Sequence, residues 1–408
     1  MTQQDNRNRP TKEEIEAFRI KARCCAELHK VFWELCTPKE FEQTGQEIFG
    51  GTHHAERILS EFKMYHEVYE VVWPDEAQCP AWGRAIAKEE FGHDIEARLE
   101  AFIAIPNRLL HVTMPTRLGM AIRMPGGGGT TGHSNTPKWE CQADHEFILE
   151  AGDMFGVSTS LLSILEAGEE KRDQSARSFA TFILSKLESV LKRANPFLAI
   201  AWENLYLFGI SYGASAAMLV YKDICTRQDE WPPGFCITHA MFRCPLLDYY
   251  YREDIFYMGI VISKERAVRD AKAIFAIKQK LPFLVYRAGT HPPTAMWPAH
   301  VIPRANMWSR LWGPKSMLTL IEESPDFPMP TKFGLWHGTE DSNVPFEQTL
   351  AAGDLFCRKG SPDVTVYLEE GKPHAWDYEE SLTAEKREFL NKRGATASSG
   401  LKIVRLRF

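Results

Sequence analysis

The segment Gly209-Ile210-Ser211-Tyr212-Gly213 follows the apolar run Leu205-Tyr206-Leu207-Phe208 and leads into the alanine-rich stretch Ala214 to Tyr221. A G-x-S-x-G sequence between a strand and a helix holds its serine on a sharp turn, with the hydroxyl above the sheet instead of packed in it. Small residues two before and two after the serine are needed, because a side chain at either place would meet neighbouring backbone. Alone, the pentapeptide is a weak signal, since Gly and Ser also fill ordinary turns. Its context constrains the fold: two further segments of complementary chemistry follow it along the chain.

Strand-like and helix-like segments alternate on both sides of this corner. Leu109 to Thr113 and Leu118 to Met124 read as strands joined by the Pro115 turn, and they run into four glycines, Gly126 to Gly129. A helix over about Ala143 to Phe155 precedes the strand-like Gly156 to Leu162, and the charged run Glu169 to Asp173 reads as a solvated loop. A helix near Ser178 to Arg193 then leads to the Leu205 strand. Beyond the serine, strands are expected at Ile237 to Leu247, Phe333 to Trp336 and Val364 to Leu368, with a terminal helix over Tyr378 to Lys392. Such alternation predicts an α/β fold, a mostly parallel sheet with helices on both faces. Residues 12–100 read as helical, over Glu13 to Cys36 and Gln43 to Tyr69. Residues 251–330 break the pattern with a helix from Lys264 to Lys280 and segments bearing Pro, Trp and Met, the expected form of an inserted lid. The expected organisation is therefore a helical N-terminal extension over 1–108, part of which can join the lid. A core over 109–250 and 331–393 follows, with the lid at 251–330 and a tail at 394–408.

Composition removes several function classes. A net charge of -6 offers no basic footprint for nucleic acid. No window approaches the roughly 18 unbroken apolar residues of a membrane span, so no stable membrane insertion is expected. Met1 to Lys12 is polar and shows no secretory signal. The nine cysteines have no C-x-x-C spacing, which suits reduced thiols in the cytoplasm and neither a disulfide frame nor a zinc site. His53-His54 with His66 lack companion ligands at suitable spacing and read as solvated residues. No metal and no organic cofactor is expected.

A serine hydroxyl is a poor nucleophile until a base accepts its proton, and the base must be oriented, usually by a carboxylate. In one of the recurrent chain orders of such a triad, the acid and then the histidine follow the serine. Here Trp336-His337-Gly338-Thr339-Glu340-Asp341-Ser342-Asn343-Val344-Pro345 supplies Asp341 after one strand, with Glu340 as its competitor for the role. Gly371-Lys372-Pro373-His374 supplies His374 after the next. Both lie beyond the carboxyl ends of strands, where open α/β sheets place their chemistry. The interval of 33 residues (374 − 341) holds one helix and one strand, as parallel neighbours require.

These motifs together resemble the α/β-hydrolase superfamily, and within it the hormone-sensitive-lipase-like branch called α/β-hydrolase fold-3. The resemblance covers roughly residues 110–390. It implies Ser211 as nucleophile, His374 as base and Asp341 as its orienter, with the amides of Gly126, Gly127 and Tyr212 binding the oxyanion. The family histidine before the glycines is Pro125 here, and no D-Y-R-L-A-P-E-like stretch follows the next strand.

Plainer readings stand beside these. Asp341 can cap a helix beginning near Val344, and His337 reads as a structural loop residue bonded to backbone. Gly127 to Ser134 has the spacing of a phosphate loop, but His133 stands where that loop needs lysine. Tyr249-Tyr250-Tyr251 reads as packing at the base of the lid. The sequence thus points to a serine hydrolase cleaving an ester, lactone or thioester of a small apolar or aromatic molecule, such as a polyketide-like product of secondary metabolism. The alternative is a non-hydrolytic relative (lyase, dehydratase or cyclase) or a small-molecule binding protein.

Overall fold

A nine-stranded sheet organises the chain in a computed structural model that describes residues 10–39, 59–124, 126–127, 142–159, 162, 164–249, 255–257, 260–283, 297–374, 382–391 and 400–406. Its strands are β1 (Phe62–Val72), β2 (Ala97–Pro106), β3 (Thr116–Met124), β4 (Met154–Thr159), β5 (Leu198–Ile210), β6 (Ile237–Arg243), β9 (Lys332–Gly338), β10 (Asp363–Glu369) and β11 (Gly400–Leu406). A separate hairpin is formed by β7 (Ile255–Tyr257) and β8 (Ile260–Ile262). The order across the sheet is β1-β2-β4-β3-β5-β6-β9-β10-β11. Only β2 runs against its neighbours; every pairing from β4 through β11 is parallel. This is the α/β-hydrolase fold, and parallel strands bring their carboxyl ends, hence their following loops, to one edge.

Strand alternation gives the sheet two buried faces. In β5, Leu205 and Leu207 join the larger core cluster, whereas Tyr206 and Phe208 join the smaller one opposite. The first face is covered by helices Ile164–Ser185, Tyr212–Cys225 and Glu347–Arg358, and the second by Gln142–Ala151 and Ala384–Asn391. Helices on both faces need strands apolar throughout, and β9 is buried at every position.

The N-terminal helix, Lys12–Cys36, starts at a capping box in which Thr11 and Glu14 satisfy each other's backbone amides. Its buried residues Phe18, Ala22, Cys25, His29, Phe32 and Cys36 recur at helical spacing. Phe18 stacks on Phe283 with ring centroids 6.0 Å apart, and the Cys25 thiol donates to the Phe283 carbonyl at 3.1 Å. The first helix thus packs on the segment after the core's midpoint. No described helix is long and apolar enough to cross a membrane.

Several sequence expectations are corrected. The helical reading of Gln43 to Tyr69 fails from Phe62, and residues 97–106 are also a strand, so the sheet begins inside the stretch assigned to a helical extension. The ten-residue antiparallel pairing of β1 with β2 overrides local propensity there. Leu109 to Thr113 is not a strand: Asn107–His111 is a short 3-10 turn, and the Asn195 amide donates to the carbonyls of Leu110 and Val112 at 3.1 and 2.8 Å. Glu169 to Asp173 lies within helix Ile164–Ser185, whose charged run meets no proline to break it. The end of the expected tail is strand β11, which pairs in parallel with β10.

A buried ion pair joins β6 to the helix Gln142–Ala151. Arg243, ending β6, donates to both carboxylate oxygens of Asp144 at 2.7 and 2.6 Å, and both side chains are buried. Removing one partner of such a pair strands the other charge. Asp144→Ala should therefore lower unfolding free energy by about 3–5 kcal/mol in urea denaturation; a loss below about 1 kcal/mol would contradict this, as surface pairs behave that way.

Candidate active site

Ser211 sits between β5 and helix Tyr212–Cys225 at φ 52, ψ −125. A residue with a Cβ adopts such a positive φ at a cost of about 1–3 kcal/mol, and only where the surroundings over-determine it. Here they do. The Ser211 amide donates to the Arg243 carbonyl at 2.8 Å, and its own carbonyl accepts from Ala214 and Leu246 at 3.1 and 3.0 Å. The turn is so tight that a Cβ on Gly209 would lie 2.7 Å from the Ala214 Cα, which explains the glycine two residues before the serine.

The acid and base loops arrive from the adjacent strands β9 and β10. They are stitched together: Thr339 donates its amide to the Glu369 carbonyl and Glu340 to the Lys372 carbonyl, each at 3.0 Å. A Cβ on Gly338 would collide with that Lys372 carbonyl, two residues before His374, so glycine is required where the loops cross. His374 Nε2 then lies 3.1 Å from Ser211 Oγ, and its Nδ1 donates to Asp341 Oδ2 at 2.7 Å. Three residues separated by up to 163 positions form one hydrogen-bonded line. Glu340 is exposed, and it is Asp341 that hydrogen-bonds His374.

Asp341 is saturated with donors. Its Oδ1 accepts the amides of Asn343 and Val344, both at 2.8 Å, and its Oδ2 accepts from His374 and from His337 Nε2 at 2.9 Å. Burial alone would raise its pKa; the charge of His374 and the hydrogen bonds from His337 and His374 outweigh that, holding it well below the usual carboxylate range. The carboxylate stays ionised.

His337 is the residue that sequence reasoning missed. It is a fully buried strand residue, not a loop one, and besides the expected bond to backbone it bonds the Asp341 carboxylate. Its Nε2 also faces the Val344 carbonyl at 3.0 Å, so that nitrogen carries the proton, while Nδ1 accepts from the Thr349 hydroxyl. The only signal in the sequence was its place four residues before Asp341.

The glycine segment leaves β3 next to the serine corner, since Met124 pairs in register with Gly209. Gly126 is buried and Gly127 has φ 99, the left-handed region that favours glycine. Pro125 and Gly128 to Ser134 lie outside the described residues, as do Tyr250, Tyr251, His53 and His54. Tyr212 opens the helix and is buried. A small cleft beside that first turn is lined by Tyr212, Ser215, Asp248, Tyr249, Trp308 and Trp312. Tyr249 stacks on Trp308 at 5.5 Å, and its hydroxyl faces the carbonyls of Trp312, Gly313 and Lys315, so its role is packing.

His300, on helix Trp297–Arg304, approaches the same site. Burial and then the charge of His374 push its pKa from 6.5 down to about 3.

No protein-family model and no curated protein matches the chain. Among solved structures it is similar to the propionate-bound esterase of the planctomycete Thermogutta terrifontis, at 15% identity and TM-score 0.39, over 72% of this chain and 86% of that one. It is also similar to MGS-M1, an α/β hydrolase from a Medee basin deep-sea metagenome, at 10% identity and TM-score 0.38, over 72% and 85%. A third similarity, to a possible dipeptidyl aminopeptidase IV of Bacteroides ovatus, has 7% identity and TM-score 0.43, over 82% of this chain and 36% of that one. These likenesses are distant.

His300 yields a prediction. The folded protein keeps this ring neutral, while the unfolded chain takes up a proton below pH 6.5, so stability falls as the pH drops below that value. Between pH 6.5 and pH 5 the loss is about 2 kcal/mol. Urea unfolding at the two pH values should show wild type losing about that much more than His300→Gln; equal losses would contradict it.

Proposed function

We propose that this chain is a serine hydrolase of the α/β-hydrolase superfamily, similar to its hormone-sensitive-lipase-like branch, that cleaves a carboxylic ester, lactone or thioester of a small apolar or aromatic molecule. The observation that carries the reading is the hydrogen-bonded line from Ser211 Oγ through His374 to Asp341, starting on a strained turn. A serine held that way at a structural cost is positioned for chemistry, because packing alone needs no such strain.

In the proposed reaction His374 Nε2 takes the Ser211 proton as Oγ attacks the carbonyl carbon. The imidazolium formed is stabilised by Asp341, which does not itself take the proton. The amides of Gly126, Gly127 and Tyr212 bind the oxyanion, each such donor typically contributing roughly 3 kcal/mol to lowering the barrier. His374 then gives its proton to the leaving oxygen or sulfur. Water, deprotonated by the same nitrogen, releases the acid. No step needs a metal or organic cofactor. The aromatic residues Trp308 and Trp312, in the cleft beside the first turn of the helix after Ser211, suit an apolar group, with residues 251–330 as lid. Cysteines carried as thiols suit action in the cytoplasm.

His337 acts through Asp341 as a positioning residue, adding a second imidazole donor to the oxygen that orients His374. A series of p-nitrophenyl esters from acetate to octanoate tests these roles. Wild type should turn over at least one member. Ser211→Ala and Asp341→Asn should each lose about 10⁴-fold in kcat. His337→Gln should lower kcat by roughly tenfold with KM unchanged, the signature of an interaction made in the transition state. Turnover unaffected in Ser211→Ala would overturn the assignment. Absence of any turnover, with tight binding of an apolar ligand, would favour the non-hydrolytic reading.

A further inference from the structure

Cys244 is a ligating group beside this site that the proposed reaction does not use. It follows β6, is fully buried, and has φ 43, a left-handed conformation that costs a Cβ-bearing residue about 1–3 kcal/mol. Its amide donates to the Trp336 carbonyl at 2.7 Å, which fixes it against the strand that carries the acid loop. As a result the Cys244 Sγ, a carboxylate oxygen of Asp341 and a ring nitrogen of His374 all lie within 4.8 Å of one another.

We propose that Cys244, Asp341 and His374 form an inhibitory site for Zn²⁺. Thiolate, imidazole and carboxylate are the three donor types zinc takes, and three protein ligands with an open fourth position is a familiar zinc arrangement. Zinc–ligand distances near 2.0–2.3 Å imply tetrahedral edges of about 3.3–3.6 Å, so side-chain shifts of about an ångström close the triangle. The fourth position is left to water.

The consequence follows from counting protons. Zinc takes the lone pair of the nitrogen turned toward Asp341, which is Nδ1. Cys244 releases its thiol proton to solvent, and the neutral imidazole keeps one proton, now on Nε2. No electrons are transferred. With Nε2 protonated, the nitrogen 3.1 Å from Ser211 has no lone pair to accept the hydroxyl proton. Bound zinc and a competent base are mutually exclusive. Cations that demand oxygen ligands, Mg²⁺ and Ca²⁺, find a single carboxylate here and do not bind. The inhibitory effect rests on the hydrolase reading; the metal site does not.

Two measurements on the full chain separate these. Titrating Co²⁺ should produce a thiolate-to-cobalt charge-transfer absorption at one equivalent, displaced by Zn²⁺ and absent in Cys244→Ala or, should that variant not fold, in Cys244→Ser. In parallel, Zn²⁺ should suppress wild-type ester turnover and EDTA should restore it. In the Cys244 variant, metal-free turnover should be retained while the half-inhibiting Zn²⁺ concentration rises at least about 100-fold, beyond the ~10–100-fold typical for losing an outer-shell partner. A charge-transfer band undiminished in the variant, no band in wild type, or equal zinc sensitivity would each overturn the proposal. A Cys244-dependent band in a protein that cleaves no ester would leave the metal site standing and remove the hydrolase reading instead.

Discussion

The Asp341 carboxylate, buried and accepting four hydrogen bonds, is the interaction on which the rest of the site depends. A carboxylate has about four lone-pair directions, and here two backbone amides and two imidazoles use them. Burying that charge without these donors would cost several kcal/mol. With them it stays ionised and fixes three things at once: the turn of its own loop, the strand histidine His337, and the tilt of the His374 ring toward Ser211. Because the acid and base loops cross at Gly338, where no side chain fits, a shift in either is transmitted directly to the other.

The serine end is held by different physics. Strain at Ser211 is stored in the backbone and offset by hydrogen bonds from β6 and from the residues just after it. Cys244, two residues before Leu246, is the second residue with a Cβ at positive φ in this neighbourhood. Two such positions on adjacent strand ends are energetically unfavourable for folding alone, and both lie around His374. The Arg243–Asp144 pair, directly before Cys244, anchors the same strand end from the opposite face of the sheet.

Much of this was legible in the chain because chemistry restricts residue type. Ser211, Asp341 and His374 fall on strand-end loops in the order and spacing that parallel neighbours impose, and the structure brings all three within hydrogen-bond reach. The parallel core from β3 to β10 was legible for a similar reason, since strands buried on both faces read as apolar runs. Other parts were not. β1 and β11 lie at the sheet edges, where one face meets solvent, so Phe62–Val72 mixes polar and apolar residues in a pattern that also fits a helix. His337 was hidden because its role depends on a loop folding back four residues later, a contact that neither composition nor periodicity encodes. His300 was hidden likewise, since its approach to His374 is made only in three dimensions.

The central claim is that His374 draws a proton from Ser211 under the direction of Asp341. Covalent capture tests it most directly: the folded protein is treated with a fluorophosphonate, and the adduct is weighed and mapped by peptide mass. The account predicts a single adduct on Ser211, forming rapidly in wild type and at least about 10³-fold more slowly in a folded His374→Ala variant. An adduct on another residue, or one forming on Ser211 equally fast without the imidazole, would contradict it.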